Sequence, residues 1–105
     1  MKQLIQKLTE TFSPSGYEDA IRQVIRKEGK PLADELKVDA LGNLIARKGQ
    51  PGPAGLKIML AAHIDEIGVI ITHVDERGFL RFLPIGGVRP VTCVGGRVRF
   101  LNGQA

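Results

Sequence analysis

Residues 56–68 read Leu-Lys-Ile-Met-Leu-Ala-Ala-His-Ile-Asp-Glu-Ile-Gly, and the expected fold depends on these thirteen residues more than on any others. Its first seven residues, 56–62, form an apolar run of strand length, which favours a buried central strand. His63 and Asp65 follow directly after the run. Open α/β sheets bind their ligands at the carboxyl ends of strands. We therefore expect the functional residues of this chain directly after residue 62.

The sequence before this stretch predicts two helices and a hairpin. Apolar residues recur at helical spacing over residues 2–12 and again after Ser15, up to about Glu28. Ser15 is in a suitable place to cap the second helix. The period then changes to two, and residues 36–40 and 44–46 are expected to form the two strands of a hairpin.

After Gly68 the helical spacing of apolar residues ends, and short β-prone segments separated by glycine follow. Residues 75–78 have the composition of a hairpin turn. We expect strands at residues 69–74, 79–83 and 98–101. This change in sequence pattern predicts two domains, 1–67 of α/β type and 68–105 of β type. The second domain ends without a closing helix or strand, as expected of an incomplete chain.

Composition excludes several classes of protein. The 105 residues carry 15 Lys and Arg against 11 Asp and Glu, a net charge of +4, and each half of the chain nets +2. This even mixing argues against a nucleic-acid partner in spite of the basic pI of about 9.6. No run approaches the roughly 18 to 20 apolar residues of a membrane span, so we expect a cytoplasmic protein without a membrane partner.

The pair His63 and Asp65 allows two interpretations. Positions two apart in a strand share a face, so both side chains would emerge together after residue 62. One imidazole nitrogen could then bind a metal ion while the carboxylate orients the ring. A metal site needs three or four ligands, however, and His-x-Asp alone favours an ordinary hydrogen-bonded histidine in a surface loop.

The pattern recurs ten residues later as His73-Val74-Asp75-Glu76. This second copy spans the end of a predicted strand and the predicted hairpin turn. We therefore interpret it as structural, with His73 on the solvent side of the strand.

Four motifs in order connect these residues to a known family. They are Ser-Pro-Ser-Gly-Tyr-Glu at 13–18, Asp-Ala-Leu-Gly-Asn-Leu-Ile-Ala at 39–46, Ala-His-Ile-Asp-Glu-Ile-Gly at 62–68, and Gly-Phe-Leu-Arg-Phe at 78–82 leading to Ile-Gly-Gly at 85–87. Together they closely resemble the co-catalytic metallo-aminopeptidases. That family includes glutamyl, deblocking and tetrahedral aminopeptidases, and some of its members carry an endoglucanase label.

The resemblance implies an α/β chain: the N-terminal part of a mixed-sheet metallopeptidase catalytic domain, followed by the start of an inserted β-barrel domain. It further implies two divalent metal ions, with zinc or cobalt foremost, a peptide substrate that loses its N-terminal residue, and assembly into homo-oligomers through the barrel. His63 would be a metal ligand. Asp65 would be the supporting catalytic carboxylate.

The family's other ligands and its general base lie beyond residue 105. Glu66 and Glu76 do not match that catalytic glutamate. We therefore expect these 105 residues to hold no metal ion stably and to have no peptidase activity by themselves. The alternative is a short β-rich module that associates with itself through unpaired strand edges, without catalysis.

Overall fold

The computed structural model describes residues 1–50, 52–53 and 55–103. The chain divides into two compact units, Met1–Asp65 and Glu66–Ala105. Among the described residues, no helix has both the length and the apolar character needed to cross a bilayer. The elements are α1 Lys2–Glu10, α2 Asp19–Gly29, β1 Glu35–Val38, β2 Leu44–Arg47, β3 Gly68–Val74, β4 Leu80–Ile85 and α3 Pro90–Cys93.

The two long helices form where the helical spacing of apolar residues predicts them. Helix α1 ends at Glu10, two residues before its predicted end. Ile21 of α2 is only 3% exposed, and it is the one buried apolar side chain in the described part of the chain. Lys7 and Glu28 form an exposed ion pair of 2.7 Å between the helices, and its hydrogen bond lowers the pKa of the Glu28 carboxyl.

Ser15 does not cap α2, so that prediction is wrong. The residue before the helix is Glu18, and no side chain caps this end. A capping hydroxyl must belong to the residue immediately before the first turn, whereas α2 begins four residues after Ser15. The Ser15 hydroxyl is instead hydrogen-bonded to Asp65.

The first hairpin confirms the period-two pattern. Strands β1 and β2 pair antiparallel, with Glu35 opposite Arg47. In the turn, the Asp39 carboxylate accepts hydrogen bonds from the backbone and side-chain nitrogens of Asn43, at 2.9 and 2.8 Å. Gly42 has a φ of +86°, a conformation that a residue with a Cβ atom rarely adopts.

The predicted central strand at residues 56–62 is not formed. The run is neither helix nor strand. A buried strand needs hydrogen-bonded neighbours, and the described strands pair only as β1 with β2 and β3 with β4. Its large apolar side chains are consequently exposed, by 85% at Leu56, 77% at Ile58, 88% at Met59 and 93% at Leu60.

The second unit is built on the antiparallel hairpin of β3 and β4. Gly68 lies opposite Ile85 at its open end, and the register shifts between Ile71 and His73. At the closed end, Gly78 takes a φ of +84°, as the predicted hairpin turn requires.

The region after β4 differs from the prediction. The expected strand at residues 98–101 is absent, and no described strand lies beside it as a partner. The short helix α3 was not expected. It begins at Pro90, whose fixed φ suits the first position of a helix. The described chain is therefore a small mixed α/β structure with two antiparallel strand pairs.

Candidate metal-binding site

His63 and Asp65 are in direct contact, although the segment that carries them is not a strand. The Nδ1 atom of His63 lies 3.0 Å from Oδ1 of Asp65 and 3.1 Å from the backbone oxygen of Asp65. Both oxygens are acceptors, so Nδ1 carries the proton and donates it. The other ring nitrogen, Nε2, is then unprotonated and has a lone pair available for a metal ion.

Solvent exposure differs between the two side chains. The side chain of His63 is 86% exposed, and that of Asp65 is 35% exposed. The ring therefore has little packing around it, and its only hydrogen bonds to described residues are those to Asp65. The orientation of the imidazole depends on the position of the carboxylate.

The carboxylate of Asp65 is held by a second residue, which the sequence did not reveal. Ser15 Oγ donates a hydrogen bond of 2.5 Å to Oδ2 of Asp65. Nearby, Ser13 Oγ donates a longer bond of 3.4 Å to the backbone oxygen of Ile64. Two serines of one loop thus contact two successive residues of the His63 segment.

The loop that carries Ser15 is shaped by its own backbone. The amide of Tyr17 donates to the carbonyl of Pro14 at 2.8 Å and closes a turn. Gly16, inside that turn, has a φ of +87°, and its amide donates to Oε1 of Glu18 at 2.6 Å. None of these bonds uses the Ser15 hydroxyl, so the hydroxyl is free to serve Asp65.

Arg22 of α2 connects this loop to the first hairpin. Its Nε donates to the carbonyl of Gly42 at 2.7 Å. Its guanidinium also forms ion pairs with Asp19 and, at 3.9 Å, with Glu18. Together with the Ser15–Asp65 bond, these contacts connect the motifs at residues 13–18 and 39–46 with Asp65 of the motif at 62–68.

The environment of Asp65 favours its ionised form. The hydrogen bond from Ser15, and then that from His63, lower the pKa of the Asp65 carboxyl below its ordinary value. The group is therefore a carboxylate at neutral pH. A carboxylate is the partner that fixes the tautomer of a metal-binding histidine and raises its basicity.

The described residues supply only part of a metal site. Among them, no group of three or more His, Cys, Asp or Glu side chains is arranged to hold a metal ion. The donor set at His63 is a single imidazole nitrogen with its supporting carboxylate, whereas a stable site has three or four ligands. This chemistry fits a divalent metal ion, but the remaining ligands would have to come from elsewhere.

The second copy of the pattern has a different role, as predicted. Oδ1 of Asp75 accepts hydrogen bonds from the amides of Arg77 and Phe79, at 2.9 and 2.8 Å, and so stabilises the β3–β4 turn. His73 lies exposed on β3. The same four-residue pattern is thus a turn in one place and a histidine–carboxylate pair in the other.

A shallow cavity of about 170 Å³ lies elsewhere in the first unit. Its lining comes from α2 and β1 and includes neither His63 nor Asp65. Arg22, the most enclosed of its charged groups, is already bonded to Gly42 and Asp19. The cavity is therefore a packing gap beside the helix and not the predicted site.

Comparison with known proteins gives consistent matches. A family model described as M42 glutamyl aminopeptidase matches residues 42–105. A protein of Acetivibrio thermocellus that carries an aminopeptidase name is 52% identical over 104 residues, which are 98% of this chain and 30% of the relative.

Solved structures agree with the sequence matches. An aminopeptidase of the archaeon Desulfurococcus kamchatkensis has a TM-score of 0.79 at 43% identity, covering 86% of this chain and 25% of its own. A Thermotoga maritima protein named endoglucanase has a TM-score of 0.72 at 35% identity, covering 83% and 28%. The chain therefore spans less than a third of the length of these relatives.

Proposed function

Because this chain belongs to the M42 glutamyl aminopeptidase family, we propose that it supplies part of the metal site of an enzyme that removes N-terminal residues from peptides. The single observation that carries this proposal is the contact of His63 Nδ1 with Asp65 Oδ1. The contact leaves Nε2 as the free donor nitrogen. An isolated surface histidine would not need a carboxylate fixed in this way.

Each residue has a role in the proposed mechanism. His63 would hold one of two divalent cations through Nε2, and zinc and cobalt suit an imidazole ligand. Asp65 keeps the proton on Nδ1 and fixes the ring. When bound, a pair of divalent cations polarises the scissile carbonyl and makes a water molecule more acidic.

We also propose that the chain begins two domains, whose boundary lies two residues after the boundary between the two compact units. Residues 1–67 begin the catalytic domain, and residues 68–105 begin an inserted β-barrel through which complete proteins form homo-oligomers. Support comes from the TM-score of 0.79 over 86% of the chain and from the separate β3–β4 hairpin.

The polypeptide of these 105 residues should have no peptidase activity by itself. Among the described side chains, one imidazole and one carboxylate do not make a closed ligand set. Calorimetric titration with zinc or cobalt, followed by an assay of 4-nitroaniline release from leucine 4-nitroanilide, tests this. Metal-dependent turnover that His63→Ala abolishes would refute it.

A chimera tests the aminopeptidase function directly. The chain replaces the matching 104 residues of the Acetivibrio relative, and hydrolysis of leucine 4-nitroanilide is measured with added cobalt. We expect turnover that is lost with His63→Ala and reduced about 10- to 100-fold with Asp65→Ala. His73→Ala is the matched control and should leave turnover unchanged. An active chimera that is insensitive to His63→Ala would contradict the proposed role.

Self-association is a second candidate function, favoured by the apolar exposure of the β3–β4 hairpin. Ile70, Phe82 and Leu83 are 52%, 48% and 59% exposed. Exposed apolar strands favour pairing with another copy. Sedimentation velocity at rising concentration should show dimers or larger species, and a monomer over the whole range would count against this function.

A further inference from the structure

The carboxylate of Asp65 is engaged through both of its oxygens. Oδ1 accepts the proton of His63 Nδ1 at 3.0 Å, and Oδ2 accepts the Ser15 hydroxyl at 2.5 Å. A carboxylate held at one oxygen cannot rotate freely at the other. The bond from Ser15 to Oδ2 therefore fixes the rotation of the carboxylate group, and with it the position of Oδ1 beside the imidazole.

Besides the carboxylate, the ring has one other hydrogen-bond acceptor among the described residues, the backbone oxygen of Asp65, which lies 3.1 Å from Nδ1. The side chain of His63 is 86% exposed, and its hydrogen bonds to described residues all go to Asp65. An exposed imidazole without a fixed partner exchanges its proton between both nitrogens. The order of dependence is thus from Ser15 to Asp65 and from Asp65 to His63.

We propose that Ser15 is a positioning residue that acts through Asp65 to hold His63 as the Nδ1–H tautomer, with Nε2 unprotonated for a divalent cation. The last step rests on the proposed function. The tautomer of His63, in contrast, can be measured on this chain without any metal ion. Such a positioning residue is hydrogen-bonded to the carboxylate, which is itself hydrogen-bonded to the metal-binding histidine.

The Ser15 hydroxyl has no competing structural role. It does not cap α2, because the residue before that helix is Glu18 and no side-chain cap exists. The loop turn is closed by the backbone bond from Tyr17 to Pro14 and by the bond from the Gly16 amide to the Glu18 carboxylate. Ser15→Ala should therefore leave the fold intact, and its effect should be confined to Asp65 and His63.

The experiment measures the tautomer of each histidine by nitrogen-15 NMR of the labelled chain at a pH where both imidazoles are neutral. The chain contains only two histidines, so His73 is an internal reference in every spectrum. We expect a pyrrole-type Nδ1 and a pyridine-type Nε2 at His63. His73, without a carboxylate contact to its ring among the described residues, should show the mixture typical of an exposed imidazole.

Four variants decide the outcome. Ser15→Ala should move His63 towards the exposed-imidazole mixture, as Asp65→Ala does, while His73 stays unchanged. Ser15→Thr keeps a hydroxyl and should restore the wild-type pattern of His63. Ser13→Ala is the matched control, because it removes the neighbouring hydroxyl that bonds Ile64 instead of Asp65.

The proposal is overturned if His63 keeps its wild-type tautomer in Ser15→Ala, or if Ser13→Ala and Ser15→Ala shift it equally. It is also overturned if both histidines change together, since that would indicate a loss of structure. Because the measurement uses no metal ion, a positive tautomer result combined with an active chimera that is insensitive to His63→Ala would refute the proposed function and leave the positioning role in place.

Discussion

Ser15 and Asp65 are fifty residues apart in the chain, yet the Ser15 hydroxyl lies 2.5 Å from Oδ2 of Asp65. This bond joins the loop after α1 to the segment that carries His63. It lowers the pKa of the Asp65 carboxyl more than the contact with His63 does. The bond therefore favours the negative charge on the group that orients the imidazole.

Gly42→Ala should destabilise the first unit by about 1–3 kcal/mol. Gly42 has a φ of +86°, and a Cβ atom would lie 2.9 Å from the Arg22 guanidinium, which would have to move. That movement would weaken the bond from Arg22 Nε to the Gly42 carbonyl. Urea unfolding followed by circular dichroism at a helical wavelength measures the change in the free energy of unfolding.

The matched control for this substitution is Gly29→Ala in α2. A Cβ atom there meets nothing within 4 Å, and the backbone is not in the left-handed region. Because alanine is the better helix former, the control should be neutral or stabilising by up to about 1 kcal/mol. Equal losses in both variants would show that the backbone conformation at Gly42 is not the cause.

Ile21→Ala should remove about 2–5 kcal/mol from the free energy of unfolding. Ile21 is 3% exposed and is the one buried apolar side chain among the described residues. A small unit has little stability in reserve, so much of the helical signal should be lost at room temperature. Leu41→Ala, at a side chain that is 89% exposed, should change stability by no more than about 0.5 kcal/mol.

Stability should fall as the pH is lowered from about 5. Hydrogen bonds from Asn43 hold the pKa of Asp39 below its ordinary value, and those from Gly49 and Lys48 do so for Asp34. A carboxyl with a lowered pKa in the folded state stabilises the fold above its unfolded pKa. That stabilisation disappears as the pH falls through the folded value.

Asp39→Asn isolates one part of this pH dependence. The amide oxygen can still accept the backbone bonds of the turn, but the side chain no longer titrates. Unfolding in urea at several pH values between 7 and 3 should show a smaller loss of stability than in the parent chain, with the remainder due to groups such as Asp34. An unchanged pH profile would contradict the contribution of Asp39.

Local patterns predicted the two long helices and both hairpins of this chain correctly, but not the region after β4. The period of apolar residues located α1 and α2, and the turn composition of residues 75–78 located the β3–β4 hairpin. The spacing of two positions indicated that His63 and Asp65 could act together, whereas their role at a metal ion came only from the family resemblance. Each of these signals depends only on neighbours in the sequence.

Features that depend on distant partners were missed. The apolar run at 56–62 has the composition of a central strand, but a strand also needs neighbours, and the described strands supply none. Ser15 was interpreted from its position near a helix, whereas its partner lies fifty residues further on. No local pattern carries that information, although Ser15 does belong to one of the motifs shared with the family.

Cobalt titration of the nitrogen-15-labelled chain tests the central claim, that His63 Nε2 is a ligand for a divalent metal ion. Cobalt(II) is paramagnetic and broadens the signals of the imidazole that it approaches. We predict that the His63 signals broaden at lower cobalt concentrations than those of His73, and that Asp65→Ala reduces this preference. Equal broadening of both histidines, or earlier broadening of His73, would contradict the account.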